Sequence, residues 1–309
     1  MILCSSVGKT FGQVAALGEV SFELDSGVVG LVGRNGAGKT TLMRILVGLS
    51  RPSVGEVKID GRSPTSPAAR RLVGYCPDFD SLYDELTGAE FVAWMLRLDG
   101  VGAKAAKHRA REVLDELGLD EAMDRRIRTY SKGMRQRVRL GQALAHRPKA
   151  VLLDEPMTGL DPVARRELSD EIHRLGQTGH IVLVSSHVLH ELEALADRVL
   201  LVHQGRLIAD GPVRDLRAKL EDRPHQLELK SSNPRRLAER LVPLAVVDSL
   251  TIDEEDDSLR IETSASEGLF RELTEIGADS EGLIEELRVA DEGLDSVFSY
   301  LVARRGLKA

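Results

Sequence analysis

The segment GRNGAGKT at residues 33–40 has the spacing of a phosphate-binding loop, with glycines before a lysine and a threonine. The glycines permit a tight turn and leave backbone N–H groups open to an anion. Lys39 is expected to reach the β- and γ-phosphates of a nucleotide, and Thr40 to ligate Mg²⁺. An apolar strand precedes the loop and a helix follows it, so a chance Gly-rich turn is a weak alternative. The predicted nucleotide-binding residues are Gly33, Asn35, Gly36, Ala37, Gly38, Lys39, Thr40 and Thr41.

The segment VLLDEP ends an apolar run with two acids. A buried strand here would deliver Asp154 to the magnesium and would place Glu155 as the general base that polarises the attacking water. Taken alone, an acid pair is as often part of a solvated loop, but the apolar run and the phosphate loop together favour a hydrolytic site. His187 follows another apolar strand, IVLVSS. We expect it at the carboxyl edge of the same sheet, near the γ-phosphate, although a lone histidine more often has a structural role.

The segment TYSKGMRQR at residues 129–137 is typical of a helix start. Ser131 is placed to cap the helix, and Gly133 leaves the backbone open to an approaching ligand. A helix N-terminus of this type binds phosphate well, yet the chain already has a phosphate loop. A plain helix cap is the simpler interpretation, and the two roles are compatible.

The phosphate loop, YSKGM, LLDEP, GLDP and SSH follow one another in an order and spacing that resemble the ATP-binding cassette family over residues 1 to about 215. The resemblance implies an ATPase with ATP and Mg²⁺ as cofactors, in which two subunits sandwich two ATP molecules. By the same resemblance, Ser131 and Gly133 bind the γ-phosphate held by the opposite subunit, and Asp161 links the two halves. Phe11 stands where the family usually has a tyrosine that stacks on adenine, and it keeps the ring.

Asp78, Lys132 and Met134 depart further from the commonest family pattern. Asp78 in GYCPD replaces the usual glutamine, and aspartate is a shorter side chain that carries a negative charge. It remains a candidate ligand for magnesium or its water, and its charge near the γ-phosphate is expected to slow hydrolysis. Lys132 and Met134 stand where glycine and glutamine are frequent. This variant resembles cassette subunits of exporter-type systems that have separate membrane proteins.

Strands and helices alternate around these motifs, which predicts a largely parallel sheet covered by helices. Thr87 and Glu90 form a capping-box signature, and residues 87–146 are predicted to be a mainly helical insert. We therefore predict an α/β fold of the phosphate-loop NTPase type, with N-terminal antiparallel strands, over residues 1–218. Residues 222–309 alternate strand, helix, hairpin and helix and end in DEGLDSVFSYLV, which is read as a closing helix. They are predicted to be a small α+β accessory domain that stabilises a dimer or regulates activity.

The composition is ordinary for a soluble protein, with 42% hydrophobic and 29% charged residues in a chain of 309. No apolar run approaches the roughly 20 residues of a membrane-spanning helix, and the N-terminus has no leader pattern. Two cysteines provide neither a disulfide framework nor a metal cluster. Residues 221–309 contain 11 Lys/Arg against 21 Asp/Glu. That acidic balance argues against nucleic acid as a partner.

These features predict a homodimeric ATP-hydrolysing subunit of an exporter, cytoplasmic and held at the inner face of the cell membrane by separate transmembrane permease subunits. The helical insert and the loop DFDSLYDELTG are predicted to contact the permease, with Phe79, Leu82 and Tyr83 as an apolar grip. The alternative is that these three side chains pack under the loop. A soluble cassette ATPase acting on nucleic acid or ribosomes is the competing function. A phosphate-loop kinase would leave YSKGM and SSH unexplained.

Overall fold

The computed structural model describes residues 1–218, 225–253, 256–279 and 283–289. The chain divides into two compact units, Met1–Pro212 and Val213–Ala309. This division lies a few residues before the predicted domain boundary. The predicted closing helix DEGLDSVFSYLV lies outside the described residues.

The first unit contains two sheets. Its strands are β1 (Ile2–Phe11), β2 (Val14–Leu24), β3 (Gly27–Val32), β4 (Val54–Ile59), β5 (Val73–Cys76), β6 (Ala150–Leu153), β7 (Ile181–Ser186), β8 (Arg198–His203) and β9 (Arg206–Pro212). The larger sheet has the order β5-β6-β7-β3-β8-β9, in which only the β8–β9 pair is antiparallel. The smaller sheet is antiparallel, with the order β2-β1-β4. The predicted parallel sheet with N-terminal antiparallel strands is therefore confirmed.

The middle strands of the larger sheet are buried along their whole length. Every residue of β6 and of β7 is buried, which explains why AVLL and IVLVSS read as unbroken runs with few polar residues. Leu31 of β3 and Leu183 of β7 belong to the same core cluster. The two cysteines, Cys4 and Cys76, are free thiols in this interior.

Helices surround this sheet. They are α1 (Lys39–Leu46), α2 (Pro67–Arg70), α3 (Gly88–Leu98), α4 (Ala103–Glu116), α5 (Lys132–Leu144), α6 (Pro162–Gln177) and α7 (Leu189–Glu193), with a 3-10 turn at Ile127–Thr129. The predicted capping box is present, since Thr87 Oγ1 accepts from the Glu90 N–H at 3.1 Å and Glu90 accepts from the Thr87 N–H at 2.9 Å. Helices α3, α4 and α5 form the insert between β5 and β6. None of the helices in the described part of the chain has both the length and the apolar character needed to cross a bilayer.

The second unit is an α+β sandwich, as predicted. It contains α8 (Val213–Ala218), β10 (His225–Lys230), α9 (Pro234–Leu241), β11 (Ser249–Asp253), β12 (Ser258–Thr263), α10 (Ser266–Asp279) and β13 (Glu286–Val289). From β10 onward the element order is βαββαβ, and the antiparallel sheet order β11-β12-β10-β13 is that of a ferredoxin-like fold. Strand β13 was not predicted. It is a short, exposed edge strand, so it carries little of the apolar alternation that marks a half-buried strand.

Candidate nucleotide site

Three neighbouring strands of the larger sheet end at the residues singled out for chemistry. The phosphate loop follows β3, Asp154 and Glu155 follow β6, and His187 follows β7. The strands are parallel neighbours in the order β6-β7-β3, so their carboxyl ends lie along one edge of the sheet. Ligands of open α/β sheets bind at such an edge. The fold therefore brings together residues that are far apart in the sequence.

Two glycines of the phosphate loop are required by the structure. A Cβ on Gly33 would lie 2.3 Å from the carbonyl oxygen of Val202 in β8, so only glycine fits between the two strands. Gly38 is the N-cap of α1 and has a φ of 103°, a region that residues with a Cβ rarely adopt. The loop thus approaches β8 closely and leads directly into the N-terminus of α1, a helix end that favours an anion.

Lys39 lies at the centre of this edge and is buried. Its Nζ donates to the Gly33 carbonyl at 2.6 Å and lies 3.1 Å from Glu155 Oε1. The second contact is a buried ion pair: Oε1 lies within ion-pair distance of the ammonium, but the two groups are not aligned for a hydrogen bond. Lys39 therefore connects the phosphate loop with the acid that follows β6.

Asp154 is fully buried in the site. Ser185 Oγ donates to its Oδ1 at 2.6 Å, and the Tyr75 hydroxyl donates to its Oδ2 at 3.4 Å. Burial raises the pKa of the Asp154 carboxyl, and the nearby hydroxyl groups of Ser185 and Thr40 oppose that rise. Carboxylate and hydroxyl oxygens are ligands that Mg²⁺ accepts, and a cation here would offset the cost of burying the charge.

A metal bound here would need ligands from outside the protein. In the described part of the chain, no three His, Cys, Asp or Glu side chains are grouped as a metal site. Magnesium usually takes one or two carboxylates and completes its shell with phosphate and water. Thr40 and Asp154 fit that pattern.

Glu155 and His187 form a hydrogen-bonded pair. His187 Nδ1 lies 2.8 Å from Glu155 Oε2, and because an ionised carboxylate only accepts, Nδ1 carries the proton in this contact. The backbone of Glu155 has a φ of 49°, in the left-handed region. Such strain clusters at functional sites, where the surroundings hold it in place. The carboxylate is thus fixed between an imidazole and a lysine.

The sequence analysis missed Ser185. Its hydroxyl donates to Asp154 and also accepts from the Glu155 N–H at 2.9 Å, so one oxygen holds both acids. The signal was present in the segment SSH, because a serine near the end of an otherwise apolar buried strand needs a hydrogen-bond partner inside the protein.

Asp78 is exposed and lies just beyond the end of β5. Burial is the main cause of the raised pKa of Asp154, and the negative charge of Asp78 adds to the rise. The same charge adds to the raised pKa of Tyr75, which burial dominates. Asp78 therefore acts on the site through its charge, while Ser185 and Tyr75 make hydrogen bonds to Asp154.

The predicted trans-acting residues form a separate group. Ser131 caps α5 by accepting from the Met134 N–H at 3.2 Å, and Asp161 caps α6 by accepting from the N–H groups of Val163 and Ala164. The two helix ends are adjacent, since a Cβ on Gly133 would lie 3.0 Å from the Cβ of Ala164. Among the described residues, no hydrogen bond or ion pair joins Ser131, Gly133 or Asp161 to the phosphate loop.

Phe11 lies at the end of β1, with 55% of its surface exposed. Lys9 Nζ lies 4.9 Å from the centre of its ring. A half-exposed ring beside a cation can stack on a purine base, because stacking requires only an accessible π-face.

A parallel sheet that gathers a glycine-rich loop, a buried aspartate and a Glu–His pair at one edge defines a phosphate-loop nucleotide hydrolase. A family profile described as ABC transporter matches residues 17–158. The chain belongs to the ATP-binding proteins of ABC transporters, and it is the ATP-hydrolysing subunit of such a transporter.

Two relatives match almost the whole chain. The daunorubicin/doxorubicin resistance ATP-binding protein DrrA of Streptomyces peucetius is 32% identical over 300 residues, which cover 96% of this chain and 91% of that protein. The linearmycin resistance ATP-binding protein LnrL of Bacillus subtilis (strain 168) is 31% identical over 308 residues, covering 98% and 99%. These relatives favour a transporter subunit over a soluble ATPase that acts on nucleic acid or ribosomes.

Solved structures show the same fold. An ATP-binding subunit of an ABC transporter aligns with a TM-score of 0.64 and 29% identity, covering 71% of this chain and 93% of that one. The bacterial ABC transporter cassette MJ0796, solved as a dimer, aligns with a TM-score of 0.63 and 26% identity, covering 69% and 99%. The predicted fold class is confirmed by these neighbours.

Proposed function

We propose that this chain works as a homodimer that binds and hydrolyses Mg²⁺-ATP and drives export through a separate permease. The observation that carries the proposal is the fixed carboxylate of Glu155, held between Lys39 and His187 at the mouth of the phosphate loop. The resistance functions named for DrrA and LnrL support export as the direction of transport. The dimeric cassette MJ0796 supports a dimer.

Within one subunit, the phosphate loop holds the triphosphate and Phe11 stacks on the base. Lys39 contacts one carbonyl oxygen and one carboxylate oxygen that is not aligned for a hydrogen bond. A γ-phosphate oxygen can therefore replace the carboxylate of Glu155 at little cost in free energy. Thr40 and Asp154 would hold Mg²⁺, which when bound neutralises charge that develops on the phosphates.

Hydrolysis uses Glu155 as the general base. Its Oε1 pairs with Lys39 Nζ at 3.1 Å, and once the γ-phosphate draws Lys39 away this oxygen can accept a proton from a water molecule. Its Oε2 is occupied by His187 Nδ1, which fixes the orientation of the carboxylate. In the imidazolium form of His187 the second nitrogen, Nε2, also carries a proton and can donate it in a hydrogen bond to a γ-phosphate oxygen.

The partner subunit completes each site. The N-terminal turn of α5 presents Ser131 and the backbone of Gly133, and the dipole of the helix favours an anion there. Since this turn makes no bond to its own phosphate loop, its phosphate is proposed to belong to the other subunit. Asp161 begins the neighbouring helix and is placed to link the two halves.

The permease is proposed to bind in a groove on the first unit. This groove has a volume of about 1680 Å³, and Phe79 and Tyr83 lie on its wall. The Tyr83 ring packs 5.4 Å from Trp94 and 6.1 Å from Phe91, measured between ring centres, yet 54% of its surface remains exposed. Tyr83 therefore both packs under the loop and offers an apolar contact. Binding there would hold the chain at the inner face of the membrane.

Residues 222–309, which make up most of the second unit, are proposed to be an accessory domain that stabilises the dimer or regulates turnover. Its buried core includes Leu227, Leu229, Leu259 and Ile261. The polar side chains of its sheet face make hydrogen bonds to one another, including Gln226 to Glu262.

Co-expression with the permease tests the proposal. The chain should sediment with membranes only when the permease is present, and membranes that hold both should show ATPase activity that Glu155→Gln abolishes. Tyr83→Ala should weaken the membrane association without changing ATP binding. A chain that stays in the soluble fraction beside an expressed permease would contradict the transporter assignment.

A further inference from the structure

Arg135 of helix α5 holds the loop that leads from β5 into the helical insert. Its Nε donates to Asp80 Oδ2 at 2.7 Å, and its Nη1 donates to Asp84 Oδ1 at 2.7 Å. The same Nη1 also lies 3.2 Å from the carbonyl oxygen of Ile127. One guanidinium therefore fastens both ends of the segment Asp80–Asp84 to the start of α5.

This clamp differs from the ion pairs that Glu85 makes on the same loop. The side chain of Arg135 is only 21% exposed, although its partners Asp80 and Asp84 are 47% and 57% exposed. In the pair between Arg126 and Glu85 both side chains are well exposed, at 53% and 70%. Exposed pairs contribute little, while a half-buried guanidinium with two carboxylates has a fixed geometry and charge-assisted hydrogen bonds. Burial raises the pKa of the Asp80 carboxyl, but the hydrogen bond from Arg135 and other contacts outweigh burial and hold it below the ordinary value.

The clamped loop faces two sites. At its beginning the chain lies beside Asp154, because the Asp154 N–H donates to the carbonyl of Cys76, two residues before Asp78, at 2.9 Å. In its middle, Phe79 and Tyr83 line the groove, and Tyr83 packs against Trp94 of α3. A shift of the loop would therefore move the chain beside Asp154 and the residues that line the groove at the same time.

The clamp also lies next to the N-terminal turn of α5, the turn proposed to bind the partner's phosphate. The Arg135 N–H donates to the Ser131 carbonyl at 2.9 Å, so Arg135 lies one turn after the residue that caps α5. The guanidinium contacts Asp80 and Asp84 of the loop and the carbonyl of Ile127, and within the described residues it makes no hydrogen bond to the phosphate loop. Any effect of Arg135 on ATP hydrolysis must therefore act through the Asp80–Asp84 segment and the start of α5, which it joins.

We propose that Arg135 is a positioning residue that makes the Asp80–Asp84 segment and the N-terminal turn of α5 move as one body. A displacement at the groove is then transmitted to Ser131 and to Asp78 at the same time. This inference rests on the proposed function, in which the groove receives the permease and Ser131 completes the partner's site. It adds the side chain that joins those two places within one subunit.

A double-mutant cycle on ATP hydrolysis tests the proposal. It compares the wild type, Arg135→Gln, the double variant Asp80→Asn/Asp84→Asn, and the protein with all three changes. Arg135→Gln should lower kcat by about tenfold, the equivalent of one charge-assisted hydrogen bond, and should leave KM for ATP within about twofold. The aspartate variant should show the same loss. Combining the changes should add nothing, because both act through one contact.

Three further measurements separate positioning from folding. Rates are normalised to the fraction of protein that binds a fluorescent ADP analogue, so that misfolded protein is not counted. Arg126→Gln removes the exposed pair to Glu85 on the same loop, and its kcat should stay within about twofold of the wild type. Arg135→Lys keeps the charge but cannot reach both carboxylates with separate nitrogens, so its kcat should fall between those of the wild type and Arg135→Gln.

Additive losses in the cycle would overturn the proposal, and so would a rise in KM with unchanged kcat or a normalised kcat equal to that of the wild type. None of these readings requires the permease or a demonstrated dimer. If Glu155→Gln fails to dimerise in ATP, the proposed function fails, whereas the cycle still decides whether Arg135 acts through Asp80 and Asp84.

Discussion

Nδ1 of His187 lies 2.8 Å from Oε2 of Glu155, across a sequence separation of 32 residues. The other oxygen of that carboxylate lies 3.1 Å from Lys39 Nζ. One oxygen is thus used for orientation, while the other becomes available for chemistry when Lys39 turns to a phosphate. This division of roles leads to the first two predictions.

Glu155→Gln should abolish hydrolysis while ATP binding persists. The amide keeps the size of the side chain but removes its basicity, so kcat should fall by about 100-fold or more. The variant should accumulate as an ATP-bound dimer, which sedimentation in Mg²⁺-ATP would detect. Monomeric behaviour at saturating nucleotide would contradict the shared site.

His187→Ala should leave Glu155 without its orienting partner. We expect kcat to fall by about 100-fold, with KM for ATP nearly unchanged, as measured by phosphate release. His108→Ala is the matched control, because His108 is 78% exposed on α4 and pairs only with Glu112. Equal losses in the two variants would remove the assigned role of His187.

Two inactive variants should restore activity when they are mixed. Lys39→Ala damages the phosphate loop, and Ser131→Arg blocks the helix end offered to the partner. In a heterodimer of the two, one composite site carries both changes and the other carries neither. Random mixing should therefore recover roughly a quarter of the wild-type rate, since half of the dimers each regain one of two sites.

A mixture that stays inactive, although each variant still forms dimers with the wild type, would argue that each subunit completes its own site. Mixing each variant with itself at the same total concentration provides the baseline.

Ser185→Ala should harm both stability and turnover. The change leaves Asp154 Oδ1 and the Glu155 N–H without their shared partner, which costs about 1–3 kcal/mol of unfolding free energy. Chemical denaturation checks the stability, and phosphate release checks the expected loss of kcat. Ser186→Ala is a useful comparison, because Ser186 Oγ contacts Glu191 and the Val188 N–H instead of the acids of the site. An unchanged denaturation midpoint for Ser185→Ala would rule out the bridging role.

Asp78→Gln should speed hydrolysis. Removing a negative charge beside Asp154 lowers the repulsion toward the γ-phosphate, and Coulomb's law at an effective dielectric constant of about 20 allows a gain of about threefold or more. Asp78→Glu keeps the charge and should not show this gain. A rate for Asp78→Gln at or below that of the wild type would mean that the aspartate contributes to the reaction.

The sequence predicted those residues of the nucleotide site that lie within short, continuous motifs. Gly33, Lys39 and Thr40 lie within eight consecutive residues, and the apolar runs before Asp154 and His187 identify buried strands by themselves. Contacts made by the fold over long distances were not visible. Arg135 reaches Asp80 and Asp84 across 55 and 51 residues, and no periodicity in one sequence marks such a pairing. Strand β13 was not predicted for a related reason: it forms by pairing with β10, which is distant in the sequence, and its side chains are largely exposed.

The position of β7 between β6 and β3 links ATP hydrolysis to the stability of the first unit. Amide groups of a fully buried strand with a hydrogen-bonded neighbour on each side exchange with solvent only when the whole unit opens. The acids, the histidine and the phosphate loop are all attached to this slowest-exchanging region. Fraying of peripheral helices or of the chain ends would therefore leave the reacting groups in register, and the first unit would lose its activity and its last protected amides in the same event.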